Sequence, residues 1–195
     1  MSDRLTLAAL QAMKSEGRKI VCVVAWDEGT ARALDGAGVD IVSVGDSGAA
    51  SFEELLVFCA AVRRGVRRAV VSCDLPAPSV DAARRLVGAG ADMVKVEGVE
   101  DVRAIAAAGI PVFGQIAAAG DAKAMEEAGA ALIDFRHSGP EAGAEAVSVV
   151  SIPVVGGLGG GPWLDGRVRA VHKLLDDAVA AYVDDVRSGR RVKGD

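Results

Sequence analysis

Three acidic residues each follow a short apolar run of the chain. They are Asp46, Asp74 and Glu97. Carboxylates held close together repel one another, and a divalent cation between them removes that repulsion. Mg²⁺ typically binds one or two carboxylates together with water and the oxygen atoms of a substrate. A single Asp at such a position can instead cap the next helix, but three in succession favour a Mg²⁺ site.

A lysine accompanies these carboxylates. Lys95 precedes Glu97 by two residues in the same run, so both side chains point to one face of an extended strand. A cation beside a bound metal suits an anionic, oxygen-rich ligand. A 2-oxo acid meets this description, because its carboxylate and keto oxygens chelate a metal while Lys95 adds positive charge. The sequence therefore predicts a small-molecule 2-oxo acid as the binding partner.

Further polar residues follow the fifth and sixth apolar runs. Gln115 ends the fifth run, and Asp134, Arg136 and His137 end the sixth. We expect Gln115 to contact the substrate. His137 is a candidate acid or base, because histidine changes its charge near neutral pH. The other histidine, His172, lies in or near a strand and is predicted to be structural.

The apolar runs alternate with helical stretches along the chain. Runs that are apolar almost throughout, separated by helices, indicate a parallel sheet buried on both faces. Seven runs are clear, and an eighth at 168–171 is weaker. This number favours a (β/α)8 TIM barrel over an open doubly wound sheet, which stays the alternative because of the weak eighth run. In a barrel the active site forms at the carboxyl ends of the strands, where the residues named above are expected to converge.

Glycines end several of the helical stretches. The residues in this position are Gly38, Gly90, Gly109 and Gly129. Each suits the left-handed conformation that terminates a helix before the next strand. An extra helix is predicted before the first strand, at 6–17, and a long amphipathic helix at 174–191. We interpret residues 1–195 as a single barrel domain with these two additions.

Composition excludes several classes of protein. The chain of 195 residues is 51% hydrophobic and 25% charged, which is typical of a globular domain. A formal net charge of -5 argues against a nucleic-acid surface, which needs a basic patch. No apolar run reaches the roughly 18 residues of a membrane span. The scattered cysteines, with no CxxC pair, indicate buried thiols in a reducing cytoplasm. They are Cys22, Cys59 and Cys73.

Short motifs along nearly the whole chain, in order, resemble those of the ketopantoate hydroxymethyltransferase family. The specific ones are VGDS at 44–47, AAVRRG at 60–65 and VKVEG at 94–98. Others are WD at 26–27, CDLP at 73–76, IPVVGGLGGG at 152–161 and DGRVRAVH at 165–172. The resemblance implies a (β/α)8 barrel of the phosphoenolpyruvate/pyruvate superfamily. It also implies a homo-oligomer.

The resemblance assigns roles to the same residues. It implies that Mg²⁺ is held by Asp46 and Asp74, with Glu97 close to the metal. Lys95 then touches the carboxylate of the substrate, and Ser47 lies near the substrate as a hydrogen-bond donor to that carboxylate. The reaction of the family joins a one-carbon unit from methylenetetrahydrofolate to the enolate of 2-oxoisovalerate.

Two kinds of departure set this chain apart. Family members are longer, and the missing segments fall in loops of the catalytic face, which argues against a buried folate pocket. Gln115 replaces a family histidine, and Arg136 replaces the glutamate that acts as general base. An arginine keeps its charge and cannot take up a proton. Asp134 or His137 is then the substitute base, and Arg136 is a candidate to bind a second carboxylate or a phosphate.

Three hypotheses follow. The first is a Mg²⁺-dependent enzyme that forms the enolate of a 2-oxo acid for carbon–carbon bond formation, by hydroxymethyl transfer or an aldol-type reaction. The second is a lyase or mutase of the same superfamily. The third is a non-catalytic homologue that binds a metabolite or a partner protein, which the loss of the general base favours. An enzyme is favoured, because a chain released from catalysis has no need to keep the whole set of charged residues.

Overall fold

A computed structural model describes residues 4–45, 49, 51–136, 138–157 and 161–188. Asp46, Ser47 and His137 lie outside the described residues. The strands are β1 (Ile20–Val24), β2 (Ile41–Val44), β3 (Val70–Asp74), β4 (Met93–Val96), β5 (Val112–Ile116), β6 (Leu132–Phe135), β7 (Val154–Gly156) and β8 (Gly166–Ala170). The helices are α1 (Leu7–Ser15), α2 (Glu28–Gly36), α3 (Phe52–Gly65), α4 (Val80–Gly88), α5 (Val99–Ala107), α6 (Ala122–Glu127), α7 (Pro140–Val149) and α8 (Val171–Arg187).

The eight strands form a closed parallel barrel in chain order. The predicted (β/α)8 barrel is confirmed, and the open sheet is wrong. Closure of the barrel depends on β8, the strand with the weakest apolar pattern in the sequence. β8 pairs with β1 over five residues, from Ile20 opposite Gly166 to Val24 opposite Ala170. The apolar pattern of β8 is weak because arginines alternate along it, and both Arg167 and Arg169 remain partly or fully accessible to solvent.

The interior of the barrel is apolar at its amino-terminal end. Leu10 and Met13 of α1 are fully buried against the inward-facing side chains of the strands. Those strand residues are Ile20, Cys22, Ile41, Val70, Met93, Phe113, Leu132 and Val155. Each buried side chain of this size contributes roughly 1.5–3 kcal/mol relative to an exposed one. The extra helix predicted before the first strand is α1, and it closes the amino-terminal end of the barrel, which we call the floor.

A second apolar layer lies between the strands and the surrounding helices. Leu55, Cys59 and Val62 of α3 are fully buried at helical spacing, and they belong to the same cluster as the outward-facing residues of the strands. Small side chains dominate this layer, as the scarcity of aromatic residues requires. The two layers leave the carboxyl ends of the strands as the face that carries polar side chains.

Helix-ending glycines and the aspartates that follow them build the opposite face. The four predicted glycines all have positive φ, from 77° at Gly109 to 113° at Gly90. Two residues after Gly38, Asp40 donates its backbone N–H to Val21 O at 2.9 Å, and its Oδ2 accepts the N–H of Val21 at 3.0 Å. Asp92, two residues after Gly90, forms the same reciprocal pair with Val71. Asp165, which precedes β8 and follows no helix-ending glycine, forms it with Val154. These aspartates tie neighbouring strands together and belong to the framework.

The carboxyl-terminal helix behaves differently from the others. No residue of α8 is buried, and its apolar side chains Leu175, Val179, Tyr182 and Val186 are each more than half exposed. The predicted amphipathic helix is present, but its apolar face does not pack into the core of its own barrel. Among the described residues, no helix is long and apolar enough to cross a membrane.

Candidate active site

A buried lysine occupies the centre of the barrel at the carboxyl end of the sheet. Lys95 Nζ lies 3.3 Å from Asp74 Oδ1 and 3.1 Å from Asp134 Oδ2, and all three side chains are less than a tenth exposed. Asp74 faces Lys95 across the pairing of β3 and β4, whereas Asp134 reaches it from β6. The barrel thus brings together three residues that are predicted site residues. Their mutual pairing offsets the cost of burying each charge.

The charge state of Lys95 follows from these neighbours. Burial lowers the pKa of its ammonium group, but the attraction of Asp134 and then of Asp74 outweighs burial and raises the pKa above its usual value. The raised pKa favours the protonated form of Lys95 at neutral pH, and an ammonium group in this position suits binding of an anion. The ring of Phe113 lies beneath it, with Nζ 5.1 Å from the ring centroid.

Arg136, just after β6, contacts the carboxylates of Asp74 and Asp134 from the solvent side. Its Nη2 lies 3.3 Å from Asp74 Oδ2, and its Nε lies 3.9 Å from Asp134 Oδ2. The arginine side chain is 44% exposed, whereas Asp74 and Asp134 are buried below it. Asp74 is thus contacted by Lys95 at one oxygen and by Arg136 at the other. The sequence placed Arg136 in the site, but it did not predict this contact.

Glu97 and Gln115 form a separate pair at the rim. Gln115 Nε2 donates a hydrogen bond to Glu97 Oε1, and Gln115 is buried while Glu97 is exposed. The predicted convergence of β4 and β5 residues therefore occurs. Glu97 lies outside the buried cluster of Asp74, Lys95 and Asp134, at a level where it can reach a ligand in the mouth.

The alternative role of the strand-end acids as helix caps applies to one residue and not to Asp74. Asp27, which follows β1, accepts the backbone N–H of Thr30 at 2.8 Å and caps α2. That hydrogen bond lowers the pKa of Asp27. After β3, the cap of α4 is Ser79, and Asp74 points into the barrel instead. Asp74 therefore does not cap α4.

Three cavities open at this mouth, and Arg136 lines all of them. One of about 390 Å³ lies over Asp74, Lys95 and Asp134 and is walled by Trp26 and His172. A second of about 380 Å³ lies between Asp74, Glu97 and Asp101. A third of about 530 Å³ adjoins Glu97, Gln115 and Met125. Arg136 therefore stands where the three cavities meet.

Sequence reasoning missed the aromatic wall of the central cavity. The rings of Trp26 and His172 stack with centroids 6.3 Å apart and planes at 22°. Trp26 Nε1 also donates to Gly45 O at 2.9 Å. The expectation that His172 is structural agrees with this stacking, but His172 lines the cavity as well. The signal in the sequence was that Trp26 lies just beyond the end of β1, as Glu97 lies just beyond the end of β4.

Several buried polar atoms at this level have no hydrogen-bond partner among the described residues. They are Ser43 Oγ, Ser72 Oγ and Asp134 Oδ1. Buried polar groups in folded proteins are nearly always satisfied by protein, water or ligand. The middle of the barrel is therefore polar, unlike its apolar floor, and it has spare capacity to bind water or a ligand.

The sequence of the chain matches that of a known family. The sequence model of ketopantoate hydroxymethyltransferase matches residues 4–120, which is more than half of the chain. This chain belongs to the ketopantoate hydroxymethyltransferase family. A relative from Cyanothece sp. (strain PCC 7425 / ATCC 29141), named 3-methyl-2-oxobutanoate hydroxymethyltransferase, is 35% identical over 220 residues. That alignment covers 88% of this chain and 84% of the relative.

Solved structures share the fold of this ketopantoate hydroxymethyltransferase family member. A 2,3-dimethylmalate lyase of the PEP mutase/isocitrate lyase superfamily superposes with a TM-score of 0.68 at 13% identity, covering 93% of this chain and 86% of the lyase. A phosphonopyruvate hydrolase in complex with oxalate and Mg²⁺ superposes with a TM-score of 0.66 at 17% identity, covering 94% and 88% of the two chains. At these identities the likeness establishes the barrel fold alone.

This family member is shortened. The alignment of 220 residues is longer than the whole chain of 195, so the relative has segments that this chain lacks. On the catalytic face, β2 ends at Val44 and α3 begins at Phe52. β5 ends at Ile116, and a 3₁₀ turn begins at Ala119. The prediction of shortened catalytic-face loops is confirmed.

The donor set at the mouth suits Mg²⁺ in chemistry. Asp74 and Glu97 supply the hard oxygen ligands that Mg²⁺ requires, and both line the 380 Å³ cavity. In the part of the chain that the structure describes, no group of three or more His, Cys, Asp and Glu side chains could hold a metal ion. Asp46 lies outside that part, so the site of Asp46, Asp74 and Glu97 stays a prediction. A metal on Asp74 would also compete with Arg136, whose Nη2 lies 3.3 Å from Asp74 Oδ2, for that carboxylate.

Proposed function

We propose that this chain is an enzyme that binds a 2-oxo acid at the mouth of the barrel and forms its enolate for carbon–carbon bond formation. The observation that carries the proposal is the buried Lys95 ammonium between Asp74 and Asp134, beneath an open cavity of about 390 Å³. An ammonium group at the bottom of such a cavity attracts the carboxylate of a small acid. Family membership supports the same class of substrate.

Binding of the substrate would use residues on four strands. Lys95 would contact the carboxylate of the 2-oxo acid together with Ser47, and Gln115 would contact the substrate from β5. Mg²⁺, held by Asp74 with Asp46 and Glu97, would supply positive charge at the keto oxygen. A neighbouring fold with oxalate and Mg²⁺ bound supports this arrangement, because oxalate presents the same pair of adjacent oxygens.

Proton removal would depend on Asp134. One of its oxygens is held by Lys95, and the other, Oδ1, is buried without a hydrogen-bond partner among the described residues. Asp134 Oδ1 would take the proton from the carbon next to the keto group, and the electron pair of that C–H bond would become the enolate. Arg136 cannot perform this step, since a guanidinium does not release its proton. His137 is the second candidate base.

The enolate then attacks an electrophilic carbon. In the family that carbon comes from methylenetetrahydrofolate, which is the first co-substrate to test. The 530 Å³ cavity beside Gln115 and Met125 adjoins the mouth and offers room for the second reactant. A lyase or mutase reaction would use the same enolate and the same residues, and product analysis distinguishes it from hydroxymethyl transfer.

Hydrogen exchange tests the proposal without assuming a co-substrate. The protein is incubated with Mg²⁺ and 2-oxoisovalerate in heavy water, and loss of the C3 proton signal is followed by NMR. We expect exchange in the wild type and exchange slower by about 100-fold or more in Asp134→Asn. The control is Asp81→Asn, whose side chain is 92% exposed on α4. Binding with no exchange in the wild type would support the non-catalytic homologue instead.

We also infer that the protein is a homo-oligomer. Support comes from α8, because a soluble helix rarely leaves Leu175, Val179, Tyr182 and Val186 all more than half exposed. Light scattering after size exclusion should give a mass above that of one chain. Val179→Asp should lower that mass, whereas Asp176→Asn on the polar side of the helix should not. The buried free cysteines support a reducing, cytoplasmic location.

A further inference from the structure

Arg136 has more hydrogen-bonding capacity than its own chain uses. A guanidinium carries five N–H donors in a planar fork. Among the described residues, its one hydrogen bond runs from Nη2 to Asp74 Oδ2, at a long 3.3 Å. Its contact with Asp134 is longer still, at 3.9 Å. The side chain is 44% exposed and lines all three cavities of the mouth. Most of its donors are therefore available to a ligand.

The two cations lie close together at the mouth. Lys95 Nζ and Arg136 Nε lie 3.1 Å and 3.9 Å from the same atom, Asp134 Oδ2, so they are at most about 7 Å apart. The carboxylate of Asp74 contacts both of them, one through each oxygen. A ligand carboxylate that is held by Lys95 and a metal would have both of its oxygens engaged. A second carboxylate on a short carbon chain would then be the group that pairs with Arg136.

The surrounding charges favour this ligand when a metal is present. Asp74 on β3 and Asp134 on β6 neutralise both cations in the protein alone, and Glu97 and Asp101 lie along the rim. A divalent cation held by Asp74 would compete with Arg136 for that carboxylate and would repel the guanidinium. A second anion on the ligand would then replace Asp74 as the partner of Arg136. Arginine is well suited to this role, because it binds carboxylates through two parallel hydrogen bonds.

We propose that the mouth selects a short 2-oxo diacid, with Lys95 near the first carboxylate and Arg136 bound to the distal one. The proposal rests on the proposed function, since it requires a 2-oxo acid in the same cavity. It goes further by naming the substrate class. The preferred ligand differs from the branched mono-acid 3-methyl-2-oxobutanoate, after which the relatives are named.

Matched pairs of acids test the proposal by calorimetry in the presence of Mg²⁺. Oxaloacetate is compared with 2-oxobutanoate, and 2-oxoglutarate with 2-oxopentanoate, so that each pair differs by one carboxylate in place of a methyl group. We expect the diacid of the better-fitting pair to bind at least about tenfold more tightly, because it gains a charge-assisted pair of hydrogen bonds. In Arg136→Gln this ratio should fall to near one. In Arg136→Lys it should be intermediate, because the charge stays and the fork is lost.

The outcomes separate the two proposals. Arg103→Gln, an exposed arginine on α5, should keep the wild-type ratio, and circular dichroism checks that each variant is folded. Equal binding of both acids by the wild type would overturn the diacid proposal and leave the proposed function standing. A diacid preference that survives in Arg136→Gln would also overturn it. If neither acid binds at all, the proposed function itself fails.

Discussion

Arg136 Nη2 lies 3.3 Å from Asp74 Oδ2, on the opposite oxygen of the carboxylate from Lys95 Nζ. In the resemblance on which the metal assignment rests, Asp74 is a ligand of Mg²⁺ and position 136 carries a glutamate. Here a cation of the chain itself occupies one side of that ligand. The substitution therefore changes two properties at once, the proton acceptor at position 136 and the availability of Asp74 to a metal.

Removal of this internal cation should strengthen metal binding. We expect Arg136→Gln to bind Mg²⁺ about tenfold more tightly than the wild type in the absence of substrate, because the metal no longer competes with a guanidinium for Asp74. Calorimetric titration with MgCl₂ measures this directly. Arg84→Gln, which alters an exposed arginine of α4, is the control. Equal Mg²⁺ affinities in Arg136→Gln and the wild type would show that Arg136 does not compete with the metal for Asp74.

Loss of the central lysine should destabilise the protein as well as its site. Lys95→Met would leave Asp74 and Asp134 buried without their shared partner, and breaking a buried ion pair typically costs about 3–5 kcal/mol. Urea unfolding should show this loss in the free energy of unfolding at pH 7. Lys173→Met, at a lysine that is 59% exposed on α8, should change it little. A small effect of Lys95→Met would mean that water replaces the ammonium group.

The sequence allowed prediction of the fold and of several side chains that meet at the mouth of the barrel. Apolar runs separated by glycine-terminated helices indicated the barrel, and the position of Lys95 at a strand end placed it in the mouth. Sequence position alone does not distinguish Asp27 from Asp74, because both are aspartates at strand ends. In the structure, Asp27 caps a helix, whereas Asp74 faces the barrel interior. Their difference depends on the direction in which each side chain leaves its strand.

The sequence pattern could not predict the contacts between residues that are far apart in the chain. Trp26 stacks on His172 only because β8 closes the barrel against β1 and brings the start of α8 beside the end of β1. The reach of Arg136 to Asp74 likewise depends on the arrangement of β3 and β6 around the barrel axis. Such contacts follow from closure and strand register, which no local stretch of residues encodes.

Acid should weaken the contact that Glu126, at the end of α6, makes with the residues before β7. Burial raises the pKa of this carboxyl group, but hydrogen bonds from Lys123, Ser151 and the backbone of Ile152 outweigh it and lower the pKa to about 2. Because the folded-state pKa lies below the unfolded value of 4.5, the stabilisation is complete above pH 4.5 and disappears as the pH falls towards 2. It amounts to at most about 3 kcal/mol.

Thermal unfolding of Glu126→Gln tests this link. The variant should be less stable than the wild type at neutral pH, and the difference should shrink between pH 4.5 and pH 2, where the wild-type carboxylate takes up its proton. Glu127→Gln, at the neighbouring acidic residue, is the control. A difference that stays constant over this pH range would assign the stabilisation to packing and not to the charge.

Closure of the barrel should depend on the absence of a side chain at Gly166. A Cβ there would lie 2.2 Å from Ile20 O and 2.8 Å from Val155 Cγ1, so alanine would force β8 away from both neighbouring strands. We expect Gly166→Ala to lower the free energy of unfolding by about 3 kcal/mol, the upper part of the range for overpacked sites. Gly120→Ala is the matched control, because a Cβ at Gly120 meets no atom within 4 Å.

Gly166→Ala should also weaken ligand binding at the candidate active site. Val168 and Ala170 of β8 line the central cavity with Lys95, so displacement of the strand should weaken binding of a 2-oxo acid in calorimetry even where the variant remains folded. Gly120→Ala should bind as the wild type does. Equal stability and equal binding of the acid in Gly166→Ala and the control would contradict this prediction. They would mean that β8 is not paired closely with β1 in solution.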